Sequence, residues 1–195
     1  PDRRTLLVFG GGTGSSWMNT STARIAGELT KEWQILHITG VDKEALVYGE
    51  MEHYVVRDLV GKEFAMALAA ADVVLCRAGL GTLTELAHVG KPAIVVPMPD
   101  SHQEMNAFHL YEHQSALILD QTETTPQMLL TAIRSIIDDT DAQIRLTANM
   151  KLTFPKDGTA HIANGVLELA REAEQEWERA EALEREKEVE EAEAK

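Results

Sequence analysis

The chain has 195 residues, a length that fits one large domain or one domain with an appendage. Its 18 Lys and Arg are outnumbered by 32 Asp and Glu, and the formal net charge of −14 argues against a nucleic-acid binder. The longest apolar runs have about five to eight residues, far fewer than the roughly 20 that a membrane-spanning helix needs. A single cysteine, Cys76, excludes both an intrachain disulfide and a multi-cysteine metal site.

Short β-branched runs alternate with longer helical patterns over the first 140 residues. We predict strands at residues 5–9, 34–38, 54–57, 72–76, 92–97 and 116–119. We predict helices at residues 16–31, 62–71, 82–89, 103–113 and 126–139. This alternation predicts an α/β fold, a Rossmann-like doubly wound parallel sheet with helices on both faces. Such sheets bind ligands at the carboxyl ends of their strands, so we expect function in the loops that follow the strands.

The remaining sequence is helical in pattern. We therefore predict a domain at residues 1–158 and a C-terminal helix with a charged tail at residues 159–195. Apolar residues recur there at helical spacing, at Ile162, Val166, Leu169, Ala173, Trp177 and Ala180. From residue 168 onward there are 12 Glu and 5 Lys or Arg, so half of the net charge lies in this tail. It is either a solvated helical tail or a partner-binding or coiled-coil arm.

A glycine-rich loop follows the first predicted strand. Its sequence runs Gly-Gly-Gly-Thr-Gly-Ser from Gly10 to Ser15, and a helix is predicted directly after it. Glycines let the backbone approach a ligand closely, and a helix start offers free N–H groups to an anion. The loop lacks the Gly-Lys-Ser/Thr of a P-loop and fits the dinucleotide fingerprint only loosely. A nicotinamide or flavin site and a purely structural turn both stay open.

A second glycine-bearing turn, Gly79-Leu80-Gly81, follows the fourth predicted strand. If both turns lie at the switch point of the sheet, they outline an anion site of diphosphate size. A structural interpretation is equally open, because Thr82 and Glu85 have the spacing of a helix capping box.

A third polar motif follows the fifth predicted strand. His102, Gln103 and Asn106 fall within the first turn of a predicted helix, where residues three and four apart are neighbours. Amide side chains both donate and accept hydrogen bonds, which suits sugar hydroxyls. A plain polar helix start is the alternative.

These three motifs, in this order, resemble the donor-binding half of the MurG family. The resemblance lies in the Gly10 to Ser15 loop with Asn19, in the run Asp72 to Pro97 that contains Cys-Arg-Ala-Gly-Leu-Gly-Thr-Leu-Thr-Glu, and in His-Gln-x-x-Asn-Ala from His102. MurG proteins transfer N-acetylglucosamine (GlcNAc) from UDP-GlcNAc to lipid I, giving lipid II in peptidoglycan synthesis. The resemblance covers about residues 5–170 and implies the C-terminal half of a GT-B glycosyltransferase.

The resemblance also implies roles for individual residues. Glu85 would accept both ribose hydroxyls, while the amides of Leu80 and Gly81 and the hydroxyl of Thr82 would hold the diphosphate. The other wall of the diphosphate site would be formed by Gly12, Thr13 and Gly14.

The sugar and the base have implied partners too. Gln103, with His102 and Asn106, would bind the sugar, and Val60 and Gly61 would border the uracil.

The family's other half has no counterpart in this sequence. That half would supply the acceptor site for a lipid-linked muramoyl substrate, the catalytic base and the membrane contacts. We therefore expect this chain to be a piece of an inverting hexosyltransferase. On its own it should bind UDP-GlcNAc weakly and transfer nothing, because no catalytic residue is expected in it. The full enzyme is expected in the cytoplasm at the inner face of the membrane. The last helix is expected to pack on the absent half.

No metal or cofactor is expected, because the glycine turns carry no Asp-x-Asp pair for magnesium. Two alternatives remain. One is another GT-B UDP-sugar transferase, of a two-chain or glycolipid-synthesising type. The other is a non-catalytic nucleotide-sugar-binding module.

Overall fold

The structure is a computed structural model that describes residues 3–41, 51–58, 61–154 and 157–193. Within these residues the strands are β1 (Thr5–Phe9), β2 (Gln34–Ile38), β3 (Tyr54–Arg57), β4 (Val73–Cys76), β5 (Ala93–Val95) and β6 (Leu117–Ile118). The helices are α1 (Ser16–Leu29), α2 (Phe64–Ala70), α3 (Leu80–Val89), α4 (Gln103–Glu112), α5 (Pro126–Ile137), α6 (Thr140–Thr153) and α7 (Gly158–Glu193).

The strands form one parallel sheet in the order β3-β2-β1-β4-β5-β6. The chain first builds outward from β1 through β2 to β3 and then returns to add β4 on the other side of β1. The strand order therefore reverses between β1 and β4, the switch point of a doubly wound sheet. The predicted Rossmann-like fold is confirmed.

Central strands are buried on both faces, which explains their continuous apolar sequences. Every residue of β1 and β4 is buried. Leu6 and Val8 point into the layer formed with α1 and α5. Leu7 and Phe9 point into the opposite layer, formed with α2, α3, α4 and α6. The alternation of side chains along each strand thus divides one apolar run between two cores.

A backbone-to-backbone contact fixes the loop that follows β1. Gly14 (φ +69°) and Gly40 (φ +92°) both lie in the left-handed region that favours glycine. A Cβ on Gly14 would lie 1.9 Å from the carbonyl oxygen of Thr39, and a Cβ on Gly40 would lie 2.4 Å from Gly14 Cα. The loop after β1 therefore lies directly on the end of β2.

The chain divides into two compact units, Pro1–Phe154 and Pro155–Lys195. The second consists chiefly of α7, along which Ile162, Val166, Leu169 and Trp177 are exposed. Residues 155 and 156, near the predicted boundary between the domain and the C-terminal helix, lie outside the described residues.

We predict that Gly14→Ala destabilises the protein strongly, by about 2 kcal/mol or more, because the added methyl group meets backbone that cannot move aside. Gly27 is the matched control: it is exposed on α1 and has open space around its Cβ position. Gly27→Ala should stabilise the protein by about 0.5 to 1 kcal/mol. Urea unfolding of both variants checks this, and equal effects of the two substitutions would contradict the close contact.

Candidate functional site

The two glycine turns lie side by side at the carboxyl edge of the sheet. Phe9 and Cys76 are paired in the register of β1 and β4, so the loops that begin at Gly10 and Arg77 leave the sheet next to each other. The two turns therefore lie together at the switch point, as the sequence predicted for an α/β sheet of this kind.

A cavity of about 190 Å³ opens at this edge. Its apolar wall combines Phe9, Ile38 and Phe64, and the Phe9 and Phe64 rings meet edge to face with centroids 5.0 Å apart. Its polar rim is formed by the backbone of Gly11 and Gly12 and by the side chains of Thr82 and Glu85. An apolar slot beside a carboxylate can hold a planar ring while the carboxylate accepts hydrogen bonds from hydroxyl groups.

Glu85 is the rim residue best placed to bind a ligand. Its side chain is exposed, and the carboxylate makes no hydrogen bond or ion pair with any residue that the structure describes. The capping-box interpretation of Thr82 and Glu85 is wrong, because α3 begins two residues earlier than predicted, at Leu80. Thr82 therefore lies inside the helix, and Gly79 is the N-cap residue.

The start of α3 is open to an anion. The first N–H groups of a helix have no intrahelical acceptor, and Gly79 has no side chain that could accept from them. The amide groups concerned include those of Leu80 and Gly81, which sequence reasoning singled out. Leu80 and Gly81 are both exposed residues, and a helix start of this kind can bind an anion.

The three polar residues of the third motif are found at the start of α4. His102 is the N-cap residue and is exposed. Asn106 Nδ2 donates to the carbonyl oxygen of Ala78 (2.9 Å), and Gln103 Oε1 accepts from the backbone N–H of Met98 (3.1 Å). One group of each amide thus ties α4 to the neighbouring turns, and the Gln103 amide nitrogen and the Asn106 carbonyl oxygen remain for a ligand.

The remaining predicted site residues do not line the cavity or lie outside the described residues. Thr13 is exposed in the loop, and Gly14 packs against Thr39; neither lines the cavity. Gly61 is exposed ahead of α2 and also lies off the cavity wall. Val60 lies outside the described residues.

Sequence reasoning missed the apolar wall. Phe64, the first residue of α2, carries no motif, and its position opposite Phe9 depends on how α2 packs on the sheet. An aromatic residue at a helix start near a strand's carboxyl end was the available signal.

A series of buried hydrogen bonds holds the end of β2, on which the loop after β1 lies. Asn19 Nδ2 donates to the carbonyl oxygen of Thr39 (3.1 Å), so Asn19 Oδ1 faces His37 Nε2 and accepts a hydrogen bond from its N–H group (3.0 Å). His37 Nδ1 then accepts from the Tyr54 hydroxyl (2.6 Å). Burial lowers the pKa of His37 to about 4, so the ring is neutral at physiological pH.

The structure defines a Rossmann-like α/β domain with a cavity at the switch point of its sheet, and comparison with known proteins identifies its family. The profile of the glycosyltransferase family 28 C-terminal domain matches residues 5–162. The chain belongs to this family. The resemblance inferred from the three motifs is confirmed.

Curated relatives carry the name UDP-N-acetylglucosamine--N-acetylmuramyl-(pentapeptide) pyrophosphoryl-undecaprenol N-acetylglucosamine transferase. The protein from Aquifex aeolicus (strain VF5) is 33% identical over 158 residues, which are 79% of this chain and 45% of the relative. The protein from Clavibacter michiganensis subsp. michiganensis (strain NCPPB 382) is 33% identical over 166 residues, which are 84% of this chain and 45% of the relative. The chain therefore spans about half the length of the curated relatives it matches.

Solved structures support the fold. The crystal structure of Acinetobacter baumannii MurG superposes with a TM-score of 0.73 at 24% identity, covering 86% of this chain and 51% of that one. The glycotransferase of kitacinnamycin superposes with a TM-score of 0.67 at 20% identity, covering 84% of this chain and 43% of that one.

No helix in the described residues is long and apolar enough to cross a membrane. No group of three or more His, Cys, Asp or Glu side chains in the same part of the chain is arranged to hold a metal ion.

We predict that folding stability falls as the pH drops from about 6.5 towards 4, by up to about 3 kcal/mol from His37 alone. The unfolded chain takes up the proton near pH 6.5, whereas the folded chain resists it until about pH 4, so acid favours unfolding. His37→Gln should flatten this part of the stability profile, while His88→Gln, at an exposed position of α3, should leave it unchanged. Urea unfolding between pH 7.5 and 4 measures the slope, and an unchanged slope in His37→Gln would refute the assignment.

Proposed function

We propose that this chain is the donor-binding half of an inverting glycosyltransferase that transfers GlcNAc from UDP-GlcNAc to lipid I, giving lipid II in peptidoglycan synthesis. Family membership and the names of the curated relatives support the activity. The observation that carries the donor site is the unpartnered carboxylate of Glu85 on the rim of an apolar slot, beside the open start of α3.

The apolar slot binds the base of the nucleoside, and the carboxylate of Glu85 binds its ribose. The uracil ring lies against the apolar wall formed by Phe9, Ile38 and Phe64, and the ribose hydroxyls donate to Glu85. A carboxylate can accept two such hydrogen bonds at once, and a bond to a charged acceptor is worth about 1.5 to 3 kcal/mol.

The diphosphate follows at the start of α3. The amides of Leu80 and Gly81 and the hydroxyl of Thr82 donate to its oxygens, with the Gly12–Gly14 segment as the facing wall. As the glycosidic bond breaks, negative charge develops on the leaving UDP, and amides already oriented by the helix stabilise it without reorganisation. The proposal includes no metal ion or cofactor.

The sugar lies toward α4. The free amide nitrogen of Gln103 and the free carbonyl oxygen of Asn106 supply one donor and one acceptor, and His102 lies beside them at the helix start. Paired donors and acceptors suit the hydroxyl groups of a hexose.

The acceptor site, the catalytic base and the membrane contacts belong in this proposal to the part of the enzyme that corresponds to the other half of the relatives. The full enzyme works at the inner face of the membrane on a lipid-linked muramoyl acceptor. The exposed apolar face of α7 then has a natural partner in that other half. The present chain alone is expected to bind the donor and to transfer nothing.

We predict that the chain binds UDP and UDP-GlcNAc in EDTA, with an affinity of roughly micromolar to millimolar. Glu85→Ala should weaken binding by about 1 to 3 kcal/mol, because the ribose loses a charged acceptor. Glu112→Ala, which removes an exposed carboxylate at the end of α4, should have no effect. Calorimetry measures all three proteins.

Two results would overturn the proposal: equal affinity in Glu85→Ala, or binding that strictly requires magnesium. A panel of UDP-sugars tests the donor, since preference for another sugar would indicate a different GT-B transferase. Stabilisation against heat by NAD but not by UDP-GlcNAc would favour a dinucleotide site.

A further inference from the structure

Arg77 connects loops from three other parts of the sheet. It directly follows β4, and its Nη1 donates to the carbonyl oxygens of Val96 (3.1 Å) and Pro97 (2.8 Å) after β5. Its Nη2 donates to Ser15 Oγ (2.8 Å) after β1 and to Gln121 Oε1 (2.5 Å) after β6. One guanidinium group therefore joins four loops at the carboxyl edge.

The contact with Ser15 reaches the glycine loop directly. Ser15 is the N-cap residue of α1, where its hydroxyl also accepts from the backbone N–H of Met18 (3.3 Å). On its other side Arg77 is followed by Ala78 and Gly79, which lead into α3. The two turns proposed to enclose the diphosphate are thus held together through Arg77.

The positive charge of Arg77 is not neutralised by a carboxylate. All four acceptors are neutral, and among the described residues no Asp or Glu oxygen lies within 4.0 Å of the guanidinium. The side chain is partly buried, and burial lowers the pKa of Arg77, although an arginine still stays protonated at neutral pH. A cation without a counter-ion in a partly desolvated place attracts an anion more strongly than an exposed one.

We propose that Arg77 is the positioning residue of the diphosphate site. It holds the glycine loop and the start of α3 in place, and it supplies a fixed positive charge beside the position of the two phosphates. This charge does there what a divalent cation does in metal-dependent transferases, since it stabilises the diphosphate of the bound donor and the additional negative charge that the leaving UDP gains as the glycosidic bond breaks. The inference rests on the proposed function and adds a specific source of charge to it.

The experiment compares Arg77→Met and Arg77→Lys with the unaltered chain, using uridine and UDP as probes. NMR titration in EDTA gives both affinities, and thermal unfolding reports folding. Arg145→Met, at an exposed position of α6, is the control for the loss of one positive charge.

We expect Arg77→Met to weaken UDP binding about tenfold or more while uridine binding changes less than about threefold. Lysine keeps the charge but loses the planar fork, so Arg77→Lys should recover part of the UDP affinity even where its melting temperature falls. The dependence of UDP affinity on salt should be reduced in Arg77→Met and preserved in Arg77→Lys and Arg145→Met.

Equal weakening of uridine and UDP, with no recovery by lysine, would mean that Arg77 only holds the fold together, and would overturn the proposal. Unchanged UDP affinity in Arg77→Met would overturn it as well. If Arg77→Met does not fold, Arg77→Lys is the deciding variant. Its affinity for uridine and the salt dependence of its UDP affinity should both match those of the unaltered chain. A change in either quantity contradicts the inference. Failure of the unaltered chain to bind UDP would instead refute the proposed function.

Discussion

The contact between Gly14 and the Thr39–Gly40 backbone is the constraint on which the site depends. It brings the end of β1 and the end of β2 closer than any side chain would allow. Because the loop after β1 is pressed onto β2, Gly11 and Gly12 are left facing the cavity instead of folding over it. The absence of side chains at Gly14 and Gly40 thus fixes where the loop after β1 lies beside the cavity.

A backbone contact this close buries polar groups away from solvent, and neighbouring side chains provide their hydrogen-bond partners. The carbonyl oxygen of Thr39 receives the Asn19 amide, and His37 and Tyr54 complete the chain of donors and acceptors. Buried polar groups are costly unless they are paired, so this chain belongs to the same constraint as the glycines. A histidine kept neutral by burial is part of the support of the loop, since it accepts on one nitrogen and donates on the other.

Much of this molecule could be predicted from the sequence, because most of its signals are local. Continuous apolar runs identified the central strands, and the glycine turns identified the carboxyl edge of the sheet. The start of α3 was misplaced, because Thr82 and Glu85 match a capping box while Gly79 caps without any side-chain signal. Glycine N-caps satisfy geometry by conformation alone, and spacing rules do not detect them.

The contacts that form the cavity wall and the hydrogen bonds of Arg77 could not be predicted, for a different reason. Both depend on residues that are distant in sequence and meet only when strands pair: Phe64 meets Phe9 across 55 positions, and Arg77 meets Ser15 across 62. Two of the acceptors of Arg77 are backbone carbonyl oxygens. Every residue has such an oxygen, so the sequence does not indicate which ones accept. Motifs thus indicated which loops lie at the carboxyl edge, whereas the contacts between those loops could not be inferred from them.

The chain carries a formal net charge of −14, which looks unfavourable for an anionic ligand. Exposed charges, however, are largely screened beyond about 8 Å at physiological salt. Attraction at the proposed diphosphate site is decided by groups within contact distance. There the fold offers helix amides and an arginine that has no Asp or Glu side chain within 4.0 Å among the described residues. The net charge therefore disfavours unspecific attraction to polyanions without conflicting with the local anion site that we propose. Such a site selects its ligand by geometry at short range, which suits the proposed nucleotide donor better than a polymer of phosphates.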